Sequence, residues 1–194
     1  MNHEFADTVA GIKISLFHDP SKLRGVTMLG LGEVKKIEID STGLEGCVEI
    51  YFANSIGLVN CYVLLAESYE PYTLQNEVQV YQTDDEPIRL KLGDITEFKL
   101  SIVFVSMCKE ANKDTQEGFI QPKSNSCCTN FVAFIKKIAD ENTAICSIGK
   151  LGEDILVDFE ESLLDINAGD MIQFNGEIKV EVKIIVAGSL TAKI

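Results

Sequence analysis

The sequence predicts an all-β protein with only minor short helices. It is organised as two similar small antiparallel β-barrels or sandwich halves, the first carrying a hairpin insertion. Three observations lead there. Apolar and polar residues alternate with a period of two through most of the chain, which is the spacing of a strand with one buried face. The alternating runs are rich in Val, Ile, Phe and Tyr, side chains that suit a pleated, half-buried surface. Two short motifs also recur in the same order. Val34-Lys35-Lys36-Ile37 with Asp40 matches Ile135-Lys136-Lys137-Ile138 with Asp140, and Leu92-Gly93-Asp94-Ile95-Thr96-Glu97-Phe98 matches Ala168-Gly169-Asp170-Met171-Ile172-Gln173-Phe174.

In chain order, Ala6–Ala10 suggests a short helical turn, and Ile12–Leu16, Val34–Ile39, Val48–Ile50 and Val78–Val80 alternate as strands. Phe98–Val105 is a denser apolar run that fits a strand buried on both faces. Lys109–Asn130 is polar and turn-rich and reads as a linker or long loop. That divides the chain into an N-terminal β-domain, 1–108, a connection, 109–130, and a C-terminal small β-domain, 131–194. Further on, Ile155–Phe159, Met171–Phe174 and Ile178–Ile184 alternate again, and Glu160–Ile166, ahead of Gly169, carries the best helix signal. Lys35 to Gly93 spans 58 residues and Lys136 to Gly169 spans 33, so the first copy holds 25 more. The surplus is expected as an insertion near 58–87.

Asp165–Ile178, with a Gly-Asp turn, an alternating strand and a mid-strand glycine, resembles the late strands of small five-stranded barrels such as the OB-fold. The resemblance implies that Gly176 is a corner where the strand coils tightly. An SH3-like barrel produces nearly the same pattern. Neither likeness carries an activity with it.

Composition narrows the function. With 17 basic and 30 acidic residues the net charge is −13, and each half carries more acids than bases, opposite to the footprint of a nucleic-acid backbone binder. No apolar run approaches the ~20 residues of a membrane-spanning helix, and Met1–Ala10 lacks the features of a secretory signal. Six cysteines are too sparse for a disulfide scaffold, so a cytoplasmic protein with reduced thiols is expected. Cys47, Cys61 and Cys146 lie in apolar runs and read as core. Cys127-Cys128 reads as a vicinal pair in an exposed loop, redox-sensitive only if a cation such as Lys123 depressed a thiol pKa. The only histidines are His3 and His18. No metal-ligand spacing, no nucleophile with a base and no phosphate loop is present, because the residues after Gly30-Leu31-Gly32 read as a strand. No catalytic residue, metal or cofactor is assigned.

The most unusual stretch is Glu67–Pro87, with six acids and no base. It coincides with the insertion, and all five tyrosines of the chain lie between Tyr51 and Tyr81. Tyrosine offers rigid contact area with a polar tip, and carboxylates steer a basic partner. The leading expectation is therefore a non-enzymatic binding or adaptor protein of antitoxin, immunity or assembly type. It would engage a basic protein through Tyr69, Tyr72, Tyr81, Asp84, Asp85 and Glu86. One alternative is an OB-like barrel binding single-stranded nucleic acid or nucleotide through Lys35, Lys36, Lys136 and Lys137. Another is a carbohydrate-binding or carbohydrate-active β-protein, disfavoured by the lack of Trp.

Overall fold

The structure is a computed structural model that describes residues 29–53, 56–81, 86–124, 126–163 and 165–182, with only the backbone described at Leu29 and Met107. The readings placed on Ala6–Ala10, Ile12–Leu16, His3, His18, Asp84 and Asp85 lie outside those residues. The protein is nearly all β. The first half holds β1 (Leu29–Ile39), β2 (Glu45–Phe52), β3 (Gly57–Leu64), β4 (Glu77–Val80), β5 (Ile88–Lys91) and β6 (Ile95–Glu110). The second holds β7 (Gly118–Ile120), β8 (Cys128–Ile138), β9 (Thr143–Ser147), β10 (Ile155–Phe159) and β11 (Met171–Val182).

Nine strands form one sheet in the order β1-β2-β3-β11-β6-β10-β9-β8-β7, and β4 pairs with β5 apart from it. Two further pairings, β1 with β6 and β8 with β11, close the sheet on itself twice. One circuit runs β1-β2-β3-β11-β6 and returns to β1. The other runs β8-β9-β10-β6-β11 and returns to β8. In each, three sequential strands and a fourth that comes back beside the first make a Greek key, β6-β1-β2-β3 and β11-β8-β9-β10. The fifth strand comes from the other half. β11 lies parallel to β3, and β6 lies parallel to β10.

The two halves pair in matching register. Glu33 opposes Ile95 as Phe134 opposes Met171, and Gly32 opposes Thr96 as Ala133 opposes Ile172. The Lys-Lys motifs sit at the same bulge: Lys35 is the extra residue between Val34 and Lys36, and Lys136 the extra one between Ile135 and Lys137. The Gly-Asp motifs make the same turn. Gly93 and Gly169 take positive φ of 85° and 100°. Asp94 Oδ2 accepts the Lys91 N–H at 2.8 Å, as Asp170 Oδ2 accepts that of Asn167. Asp40 and Asp140 each accept the N–H two residues on, at 3.0 Å.

What differs is the stretch after the third strand. Residues 65–94 separate β3 from β6, whereas 160–170 separate β10 from β11. The longer stretch contains the β4–β5 hairpin. Thr73–Gln75 pairs onto the edge of β1, through Ile39 N–H to Thr73 O and Gln75 N–H to Ile37 O. Residues 109–130 contain the end of β6, all of β7 and the start of β8.

Glu160–Ile166 is not helical in its described residues, which form bends and a turn. The Leu163 N–H is taken by Glu141 O and its side chain is buried, so docking onto the core overrides a weak helix propensity. A single 3₁₀ turn, Gly149–Leu151, is the only helix among the described residues.

The core is continuous through both circuits. Along β11 the even residues from Ile172 to Val180 are buried, and along β6 Phe98, Leu100 and Ile102 are. Phe98 packs edge-on against Phe52, while Phe174, five residues beyond Gly169 as Phe98 is beyond Gly93, packs on Phe131 and Phe159. Gly32 is required by its neighbours, since a Cβ there would meet Ile50 Cγ2 at 2.5 Å.

Because each circuit needs a strand of the other half, a chain cut between Asp114 and Thr115 is expected to yield two fragments that are unfolded or aggregated alone. Mixed, they should regain β-structure as a one-to-one complex; either fragment melting cooperatively as a monomer contradicts this. Ile102→Ala, at a fully buried site on the shared ribbon, should cost about 3 kcal/mol by denaturant titration.

Candidate functional site

The insertion places its tyrosines in three different settings. Tyr69 is turned inward against the core, its OH accepting the Gln79 N–H at 3.0 Å and its own N–H bonded to Gly43 O. It fastens the insertion to the β1–β2 turn. Tyr72 is 78% exposed with φ of 57°, its N–H bonded to Asp40 O and the following turn closed by Thr73 Oγ1 donating to Glu70 O. Tyr81 is half exposed. Its N–H bonds Leu64 O, and Leu64 in turn opposes Glu45, so Tyr81, Leu64 and Glu45 share a row on the outer face of the sheet. Of the insertion's acids, Glu77 is ion-paired with Arg89 and Lys91, while Glu67, Glu70 and Glu86 face solvent.

The four lysines of the nucleic-acid reading do not come together. β6 and β11 run antiparallel, so the turn beside β1 and the turn beside β8 lie at opposite ends of that ribbon. Each pair also meets acids: Lys35 with Glu33, Lys36 with Glu38, and Lys136 with Asp154 and Glu153.

On the outer face of β3 lies a polar cluster that the sequence did not signal. Where β11 leaves β3 to join β8, the side chain of Gln121 takes its place. Gln121 Oε1 accepts the Asn60 N–H at 2.9 Å, and Nε2 donates to Asn60 O at 2.7 Å and to Thr129 Oγ1 at 3.0 Å. Asn60 Nδ2 donates to Ser124 O, so Gln121 and Ser124 are both clamped across the seam. Cys127 is buried and Cys128 exposed. A hydrogen bond with Cys47 and burial hold the Cys127 thiol far above its usual range, the reverse of a reactive low-pKa thiol. Cys61 and Cys146 are core as expected, but Cys47 is only half-buried and faces Asn60.

Beside the clamp, Tyr62 OH donates to Glu45 Oε1 at 3.2 Å, and burial with the Glu45 charge keeps the phenol protonated. Burial, then Glu45, also pushes the half-buried Glu177 carboxyl above its usual range. The Tyr62 ring meets Phe104 edge-on, centroids 5.2 Å apart. Phe104 is half exposed and, with φ of 53°, shares the left-handed region with Tyr72. Among the described residues these two aromatics are the only non-glycines there.

No group of three His, Cys, Asp or Glu side chains is placed to hold a metal ion among the described residues, and no helix there is long and apolar enough to cross a membrane. No family model, curated protein or solved structure matches the chain.

Two measurements test this geometry. Gln121→Ala leaves the Asn60 backbone groups without their partner and should cost about 2 kcal/mol, with faster exchange of the Asn60 amide. Glu177→Gln should melt higher than the parent at neutral pH. A raised folded-state pKa means that the protonated form is favoured by folding, a contribution lost as pH rises through that pKa. The gain should shrink in acid; a gain independent of pH contradicts the assignment.

Proposed function

We propose that the protein is a non-enzymatic binding or adaptor protein that engages a basic protein partner through the exposed face of the insertion. The observation that carries this reading is Tyr72, a bulky side chain almost wholly in solvent and held in a backbone conformation that favours glycine. Such a placement costs of order 1–3 kcal/mol and persists where the surroundings over-determine it, characteristically at ligand-binding positions. Leu74, 70% exposed, follows Tyr72 along the edge of β1, and Tyr81 and the solvent-facing Glu67, Glu70 and Glu86 add aromatic and acidic surface elsewhere on the insertion, a composition found in interfaces. Asp84 and Asp85 add charge in the same stretch of sequence. Tyr69 serves the fold in this reading and leaves contact to Tyr72 and Tyr81. An antitoxin, immunity or assembly role would work by occlusion or scaffolding, and six unpaired cysteines fit a reducing, cytoplasmic setting.

The closed five-strand Greek-key circuits support the OB-like part of the alternative reading. They do not favour oligonucleotide binding. The β2–β3 face of one circuit is occupied at Asn60 by the Gln121 loop, and the β9–β10 face of the other presents Asp158 and no cation.

The test is retention of the natural partner on immobilised protein. Retention should fall steeply with salt. A Tyr72→Ser, Tyr81→Ser double variant should weaken it about tenfold or more, as expected of aromatic anchors, without lowering the melting temperature. Retention indifferent to salt and to both substitutions would sink the reading.

A further inference from the structure

Phe104 is the extra residue of a bulge on β6. Ile102 pairs with Val157 and Val105 with Phe159 on one side, and Val103 pairs with Glu177 and Ser106 with Asn175 on the other, so β6 spends three steps on two of each neighbour. The bulge moves Val105 into the core, 3% exposed, and turns Phe104 outward, 47% exposed. A bulge residue with positive φ is ordinarily glycine. Here the chain carries a large aromatic that meets Tyr62 edge-on and leaves about half of its surface to solvent.

The ring borders a furrow. One hollow of about 420 Å³ lies between Tyr62, Leu64, Phe104 and Phe159. A second, of about 460 Å³, is floored by Val105, Leu163 and Ile172. The two share Phe159 and Glu160 and follow β6 from Val103 to Glu110, roughly 20 Å of strand. Six carboxylates and two lysines line them, and one of those lysines, Lys179, is ion-paired with Glu181 at 3.1 Å. An apolar floor under a strong negative excess repels nucleic acid and acidic chains and complements an apolar segment bearing positive charge.

We propose that this furrow is a second anchoring site for the basic partner: it takes an extended segment, seating an apolar side chain against Phe104 and Tyr62 while Lys or Arg side chains reach Asp158, Glu160 and the carboxylates beyond. The proposal rests on the partner-binding reading above and adds to it the segment's chemistry and its seat.

The test selects short random peptides displayed on phage against the immobilised full chain, then measures synthetic copies by fluorescence anisotropy. Enriched peptides should combine Lys or Arg with Leu, Phe or Trp. They should lose at least tenfold in affinity for Phe104→Gly, a variant that suits the positive φ and so should melt within a few degrees of the parent. Asp158→Asn with Glu160→Gln, both on the surface, should weaken the same peptides and flatten their salt dependence. Spermine, which has charge without an apolar anchor, should compete only weakly. No enrichment, enrichment of acidic or uncharged peptides, or affinity unmoved by both variants overturns the proposal. The Tyr72→Ser, Tyr81→Ser variant separates the two claims. Peptides lost by it but held by Phe104→Gly leave the insertion face standing and remove the furrow; the converse pattern does the opposite.

Discussion

The antiparallel pairing of β6 with β11 is the contact on which the rest of the molecule depends. Each of these long strands is the fourth strand of its own Greek key and the fifth strand of the other. Ile102 and Ile178, directly opposed and fully buried, lie where both circuits meet. Neither circuit can close without the strand it receives, so the hydrophobic gain of each half is tied to that of the other. Cross-strand packing continues through Lys99 and Lys179, which both bond Glu181 on the outer side. Burial pushes that carboxyl up, but the two ammonium groups outweigh it and hold it below its usual range.

Sharing the ribbon also explains why Phe104 is exposed. β6 has to serve β10 and β11 at once, and the bulge at Phe104 reconciles the two registers. On the opposite seam, β11 leaves β3 after a single pairing at Tyr62, and Gln121 supplies the missing partner to Asn60. The surface between these adjustments carries Tyr62, Leu64 and Tyr81 in a setting dominated by carboxylates. The surface proposed above as the furrow's seat therefore lies where the strand pairing departs from regularity, which is where local rules are most often broken for function.

Much of this was legible in the residues. The strands followed from alternation, and the matched turns from Gly93-Asp94 and Gly169-Asp170, because a left-handed glycine followed by an aspartate that folds back is local chemistry. The paired lysines each sit at a β-bulge, between Val34 and Lys36 and between Ile135 and Lys137. The exchange of strands between halves was not legible, since it is a non-local pairing with no periodicity of its own. Phe104 sat inside a dense apolar run that read as doubly buried. The missing alternation across Ile102-Val103-Phe104-Val105 was the available sign of a bulge. Tyr69 and Tyr72 look alike in sequence; only the packing of one onto Gly43 and the exposure of the other distinguish them. Gln121 and Cys127 lay in a segment whose polarity suggested a linker, because a side-chain clamp on a strand edge leaves no pattern.

Native-state hydrogen exchange of the β6 and β11 amides, Leu100–Val103 and Glu177–Val180, tests the shared ribbon most directly. The account predicts that these amides and the core amides of β2 and β9 exchange through one global opening with a common free energy and a common denaturant dependence. Two sets of opening energies, one for each half, with the ribbon following only one of them, would contradict it.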